Sequence, residues 1–338
     1  MRSFQFGQDD AILVAGAGGF IGGHVLAHFH RLGFRNLRGA DIKPLDHWFQ
    51  RTDGVDSRVL DLRKIEDCRA ATKDMDYVFN FACDMGGMGF IESHKAECML
   101  SVLINTHMLM AAREAGVKRY LYSSSACVYN ADKQVDAEVT ALKETDAYPA
   151  MPEDGYGWEK LFSERMCRHF SEDFKLETRV VRFHNVYGPW GTYDGGREKA
   201  PAAICRKVIA AKLQGKHEIE IWGDGLQTRS FMYIDDCLKG VIGIMLSDWR
   251  EPINVGSSEL VSINQLVDMV ESIAQIKLGR RYNLAAPKGV RGRNSDNTLI
   301  RQVLNWEPST RLIDGLRETY AWVETMMTGG DFKNRFTV

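Results

Sequence analysis

No run of about 18 or more apolar residues occurs in the 338-residue chain, so the sequence holds no candidate membrane-spanning helix. The first apolar run, Ala11 to Ala15, is also too short for the core of a secretory leader. Charge of one sign is missing too. The formal net charge is −2 and no long basic run appears, which excludes the electrostatic footprint of a nucleic-acid or membrane-surface binder. The cysteines number seven, widely spaced, with no Cys-x-x-Cys pair. That pattern argues against a disulfide framework and against a zinc site, so no metal is expected, and it fits a reducing, cytoplasmic setting. Internal repeats and low-complexity tracts are absent as well. What is there is 44% apolar and 26% charged, ordinary composition for a globular enzyme of one or two domains.

Ala11-Ile-Leu-Val-Ala15 stops at glycines, and Phe20 to Leu32 then repeats apolar residues at helical spacing, which predicts strand, tight turn and helix. Further strands are expected at Asn36 to Asp41, Ser57 to Leu62, Tyr77 to Ala82, Arg119 to Ser124 and Glu177 to Phe183. Helices are expected at Lys64 to Thr72, Ile91 to Ala115, Tyr156 to Phe174 and Ala200 to Gln214. Strands alternating with helices imply an α/β fold, a doubly wound parallel sheet of Rossmann type covered on both faces. The expected division is a mainly dinucleotide-binding domain over 1–188 and a smaller, discontinuous C-terminal substrate-binding α/β domain over 189–330, some of whose later segments return to the sheet. Residues 331–338 are expected to form a tail.

Gly16-Ala-Gly18-Gly19-Phe20-Ile21-Gly22 fits G-x-x-G-x-x-G between the first strand and the first helix. Glycines there let the backbone approach a pyrophosphate at the positive end of the helix. Asp41 closes the second strand, where it can accept the ribose hydroxyls and repel a 2′-phosphate, favouring NAD over NADP. Asp61 and Leu62, ending the third strand, are candidates to flank the adenine.

Tyr156 and Lys160 stand at i and i+4, on one face of a helix. The lysine and a positive nicotinamide are expected to lower the phenol pKa, so that Tyr156 takes a hydroxyl proton as a hydride leaves. Ser125, at the end of the Ser123-Ser124-Ser125 strand, can hydrogen-bond the reacting oxygen.

These residues resemble the extended short-chain dehydrogenase/reductase superfamily, whose members largely act on sugar nucleotides; the resemblance runs from about Ile12 to Trp322. Where the 4,6-dehydratases of that superfamily carry an Asp-Glu pair after the hydroxyl residue, this chain has Ala126-Cys127, so dehydration loses its acid/base. A 4-ketone acidifies the hydrogens on its neighbouring carbons, and a Cys127 thiolate is a competent base for them; a small buried core cysteine is the other reading. Lys199 at a helix start can donate a proton from the opposite side, with Lys207 two turns further on; a solvated basic helix is the alternative.

Longer stretches sharpen the resemblance. Asp84-Met-Gly-Gly-Met-Gly-Phe90, Arg182-Phe-His-Asn-Val-Tyr-Gly-Pro189, Gly195 to Lys207, Trp222-Gly-Asp-Gly-Leu-Gln-Thr-Arg-Ser-Phe231 and Val290-Arg-Gly-Arg-Asn-Ser-Asp-Asn297 resemble the branch that epimerises GDP-mannose at C3 and C5. The resemblance implies that Tyr156 and Lys160 with NAD make and remove a ketone, while Cys127 and Lys199 exchange the protons. It further implies that Met85, Gly86, Gly87, Asn185 and Lys207 line the sugar site. Arg291 or Arg293 would neutralise the diphosphate, a bidentate task suited to arginine, and Arg229 is a further candidate that could equally be a structural ion-pair partner. The expected product is GDP-L-galactose, with GDP-L-gulose from inversion at C5 alone. The competing readings are a nucleotide-sugar 4-epimerase and a non-catalytic NAD-binding regulator. A homodimer through the helices at Ile91 to Ala115 and Glu159 to Phe170 is the expected assembly.

Overall fold

The computed structural model describes residues 5–329, so the 331–338 tail lies outside the described residues. The first half alternates strand and helix. β1 (Ile12–Ala15), buried along its length, gives way at Gly16 to α1 (Phe20–Arg31). Then come β2 (Leu37–Asp41), β3 (Asp56–Val59), α2 (Ile65–Thr72) and β4 (Tyr77–Asn80). α3 (Met88–Ser93), α4 (Lys95–Glu114), β5 (Arg119–Ser125), α5 (Tyr156–Phe174) and β6 (Glu177–Phe183) follow. The expected helix from Ile91 to Ala115 is therefore two helices. His94, at φ −126° and ψ 41°, breaks it, and its Nδ1 lies 2.8 Å from Ser93 Oγ and 3.1 Å from Phe90 O, a local alternative to continuing the helix. The third strand also ends earlier than expected, at Val59.

The second half is made of shorter pieces. β7 (Val186–Tyr187), α6 (Ala200–Gln214), β8 (Glu218–Trp222), β9 (Thr228–Ser230), β10 (Met232–Tyr233) and α7 (Ile234–Leu246) come first. β11 (Ile253–Val255), β12 (Leu260–Ser262), α8 (Ile263–Ala274), β13 (Gly279–Asn283), β14 (Gly292–Arg293), α9 (Thr298–Leu304) and α10 (Leu312–Thr328) complete the chain. α6 starts with proline in its first turn and ends at Gly215 in the left-handed conformation, the usual asymmetry of helix ends.

Seven strands form one parallel sheet in the order β3-β2-β1-β4-β5-β6-β11. Side chains alternate across it. Ile12, Val14, Phe79, Leu121 and Val181 face α1 and α7 through Val25, Leu26, Phe29 and Val241. Leu13, Ala15, Val78, Tyr120 and Val180 face α2, α4 and α5 through Cys68, Met108, Leu109 and Cys167. A separate core joins α6, α8 and α10 through Val208, Leu266, Val270, Leu316 and Val323. The strand order reverses between β1 and β4, and ligands of such sheets bind in the crevice beyond the carboxyl ends of the strands at that point. No helix among the described residues is long and apolar enough to cross a membrane.

Candidate active site

The crevice is a cavity of about 1440 Å³ that runs from the glycine turn to the loops of the second half. One drug-sized ligand fills about 300–1,000 Å³, so this space suits two ligands end to end. Gly16, Gly19, Phe20, Ile21, Gly22, Asp41, Asp61 and Leu62 line one end. Two glycines are dictated by space. Gly16 has φ +80°, and an added Cβ at Gly22 would sit 2.2 Å from Gly16 O, so the turn and the start of α1 close on each other with nothing between. The first turn of α1 carries no acidic residue and no side-chain cap, leaving its N–H groups for an anion.

Asp41 is held in place rather than solvated. Its Oδ2 accepts from Gly18 N–H at 3.0 Å and its Oδ1 from Lys43 N–H at 3.0 Å, while burial pushes its pKa up. Gly18 therefore acts through Asp41 and is not itself part of the cavity wall. Asp61 is bound by Arg63, whose guanidinium and backbone N–H both donate to it.

The other end gathers the remaining candidates. Tyr156 opens α5 immediately after Gly155, at φ +91°, and Ser125 at the end of β5 is among the groups that act on its phenol. Lys160 is buried one turn further on, its Nζ 5.4 Å from the Tyr156 ring centroid and 4.8 Å from that of Tyr122. Burial, with Cys83, Cys127 and Glu159 adding to it, pushes the Tyr156 pKa well above its ordinary value. Glu159, also buried, is among the smaller causes of that rise, and its Oε2 stands 3.6 Å from Lys160 Nζ. Lys160 Nζ has no hydrogen-bond partner among the described residues, an orphaned buried donor beside the cavity.

Cys127 occupies the short turn Ala126–Val128 that follows β5, its N–H donating to Ser125 Oγ at 3.2 Å. Arg293 Nη1 lies 3.4 Å from its Sγ, and Arg293 Nε donates to Gln134 Oε1 at 2.6 Å. Lys199 is the residue before α6, and its Nζ donates to Gly86 O at 3.1 Å. Burial lowers its pKa, Cys127 works the other way and Arg293 adds to the lowering. Met85, Gly87, Asn185 and Lys207 share the same wall. Asn185, at φ +45°, donates to Ser230 O, and Lys207 Nζ donates to Glu220 O.

The three arginines separate clearly. Arg291 forms an ion pair with Asp224, both of whose oxygens lie within 2.9 Å of Nη1, and does not line the cavity. Arg293 lines it and faces Cys127. Arg229 also lines it, donating to the carbonyls of Thr228, Lys288 and Val290 with no carboxylate partner among the described residues. Burial pushes its pKa down to about 9. Ser124 is tied to Glu164 and is structural.

Cys83, Gln134 and Glu153 are among the wall residues that escaped the sequence reading. Cys83 stands just past β4 at the strand-order reversal, a position that could have drawn attention to it. Glu153 stands three residues before Tyr156, close enough to suggest a part in the start of that helix. Nothing in the sequence marked Gln134.

Comparison with known proteins agrees with this geometry. Residues 12–256 match the model of the NAD dependent epimerase/dehydratase family. The GDP-mannose 3,5-epimerase of Arabidopsis thaliana is 47% identical over 314 residues, which cover 93% of this chain and 82% of that one. GDP-mannose 3,5-epimerase 1 of Oryza sativa subsp. indica is 48% identical, covering 93% and 81%. Among solved structures, the UDP-glucose 4-epimerase of Thermotoga maritima in complex with UDP-glucose superimposes with a TM-score of 0.84 at 23% identity, over 94% of this chain and 99% of that one. The chain belongs to the NAD dependent epimerase/dehydratase family, and its cofactor is NAD.

The Gly22→Ala protein is expected to bind NAD at least about tenfold more weakly, because the methyl group forces the turn away from α1. Titration calorimetry against NAD checks this, and an unchanged affinity would mean that the close approach is not needed.

Proposed function

We propose that the protein inverts GDP-D-mannose at C3 and C5 to give GDP-L-galactose, and at C5 alone to give GDP-L-gulose, through a transient 4-ketone. The observation that carries this reading is the Cys127 thiol, in the same cavity wall as Lys199 and 3.4 Å from the Arg293 guanidinium. A simple 4-epimerase needs no such pair. The plant relatives that share about half of their residues with this chain bear the name of that reaction.

NAD would supply a hydride acceptor at C4 and a positive ring beside the phenol, whose pKa burial raises. Gly16, Gly19 and Gly22 with the start of α1 hold the pyrophosphate, and Asp41, oriented by Gly18 and Lys43, receives the ribose hydroxyls. Asp61 and Leu62 flank the adenine. Lys160 Nζ, without a hydrogen-bond partner among the described residues, would donate to a ribose hydroxyl. Tyr156 takes the C4 hydroxyl proton, supported by Ser125, and gives it back after the inversions. With the ketone in place, Cys127, beside Arg293, removes the proton at C5 or C3 as its thiolate, and the Lys199 ammonium protonates the other face.

Met85, Gly86, Gly87, Asn185 and Lys207 form the sugar site. Of the three arginines, Arg229 is the one placed for the diphosphate, since Arg291 is already neutralised by Asp224 and Arg293 faces the thiol. The same reading makes the protein a homodimer through α4 and α5. Met99, Leu103 and Met110 on α4 and Trp158 and Phe162 on α5 are all exposed, an apolar face that a second copy would cover.

Incubated with GDP-mannose in deuterium oxide, the protein is expected to place deuterium at C3 and C5 of the recovered sugars. The Cys127→Ser protein is expected to lose that exchange by at least about a hundredfold. No deuterium at either carbon would overturn the reading in favour of a 4-epimerase. Light scattering checks the assembly: a Leu103→Glu, Phe162→Glu protein is expected to run at half the mass of the parent, and a parent that is already monomeric contradicts the dimer.

A further inference from the structure

Gln134 closes the short turn Ala131–Gln134, a few residues after Cys127, and is buried to 2% exposure. Both ends of its amide are used. Nε2 donates to the carbonyls of Tyr129 and Asn130, at 3.3 and 3.2 Å, the two residues that follow the Cys127 turn. Oε1 accepts from Arg293 Nε at 2.6 Å, and Arg293 Nη1 lies 3.4 Å from Cys127 Sγ. The main chain repeats the link. Arg291 N–H donates to Gln134 O at 2.9 Å and Leu142 N–H to Asn294 O at 3.0 Å, while Asp136 O leaves no room for a Cβ at Gly292. β14 is therefore pressed against the loop that follows the Cys127 turn, and the Gln134 side chain bridges the two at the thiol.

An amide is the group that this place demands. The two carbonyls need donors and the guanidinium needs an acceptor, so the amide has one orientation; reversed, it would set its NH2 against Arg293 N–H and its oxygen against two carbonyls. A carboxylate would also accept from Arg293, as Glu164 does from Arg182 at 2.7 and 2.8 Å, but it would neutralise the cation. Arg293 has no carboxylate within ion-pair distance among the described residues, so its charge is fixed by a neutral partner and left beside the sulfur.

We propose that Gln134 is a positioning residue for the inversions: its neutral amide pins the Arg293 guanidinium against the Cys127 sulfur, so that the charge of the cation stays on the group that removes the carbon-bound proton. No hydrogen bond joins Gln134 to the sulfur among the described residues, and its effect passes through Arg293. The inference rests on the reading of Cys127 as the base and deepens it.

The test is the rate at which iodoacetamide alkylates Cys127 at about pH 7 in the whole protein with NAD bound, read by mass spectrometry of the Cys127 peptide, since the thiolate is the form that reacts. Gln134→Met, of similar length but with no acceptor for Arg293, is expected to slow alkylation about fivefold or more. Arg293→Gln is expected to slow it to a similar extent. Adding Gln134→Met to Arg293→Gln is expected to slow it no further, because two changes that remove one shared contact do not add. Gln134→Glu, which keeps the acceptor but neutralises the cation, is expected to slow alkylation as well, and it carries the test if Gln134→Met fails to fold. Alkylation at the parent rate or faster in either Gln134 variant overturns the proposal. An equal further loss in the Arg293→Gln background also overturns it, since it would mark Gln134 as packing for the Cys127 turn alone. The underlying reading fails on a different result, a parent protein that exchanges no hydrogen at C3 or C5 of GDP-mannose with solvent.

Discussion

Arg293 reaches Cys127 from 166 residues further along the chain, and the contact meets a need on both sides. A guanidinium buried to 6% exposure is costly unless its donors are accepted, and Arg293 has no carboxylate within ion-pair distance among the described residues. It has the Gln134 carbonyl oxygen and the thiol. A thiol in turn becomes a useful base only where a positive charge favours its thiolate. One contact therefore gives a buried cation an acceptor and sets it against the proposed base, and it ties β14 to the end of β5. The cavity that receives cofactor and sugar is closed between those two parts of the chain.

Other buried charges keep that arrangement stiff. Arg182 grips Glu164 through two donors at 2.7 and 2.8 Å, joining β6 to α5, and Glu164 also holds Ser124 of β5. Glu159 receives Tyr122 and Ser163 and offsets Lys160. α5 is thus anchored to β5 and β6 along its inner face, which fixes Tyr156 over the crevice where the strand order reverses. The redox residue is positioned by ion pairs and hydrogen bonds that take no part in the chemistry.

The fold was legible because its signals are local and repeated. A continuous apolar run ending at Gly16 and the spacing of Tyr156 and Lys160 each point to one structure, and α5, α6 and β6 fall where periodicity puts them. The His94 break was hidden because apolar periodicity passes through it, and only the hydrogen bonds of its ring end α3. The weight of Cys127 and Lys199 came from resemblance, since a lone cysteine and a lysine before a helix are ordinary. The three arginines looked equivalent in sequence and are distinguished only by their partners: Asp224, the thiol and bare carbonyls. Glu159 was illegible for a related reason, because its ties to Lys160, Tyr122 and Ser163 depend on distances across the fold.

The central claim is that the cofactor is reduced and re-oxidised within one turnover, on one sugar molecule, while Cys127 and Lys199 alter its neighbouring carbons. A crossover measurement tests this most directly: GDP-mannose carrying deuterium at C4 is mixed with carbon-13-labelled GDP-mannose lacking it, and the products are read by mass spectrometry. The account predicts that every C4 deuterium remains in the molecule that brought it, in substrate and epimers alike. Deuterium passing to the carbon-13 sugar, or washing out into water, would contradict it.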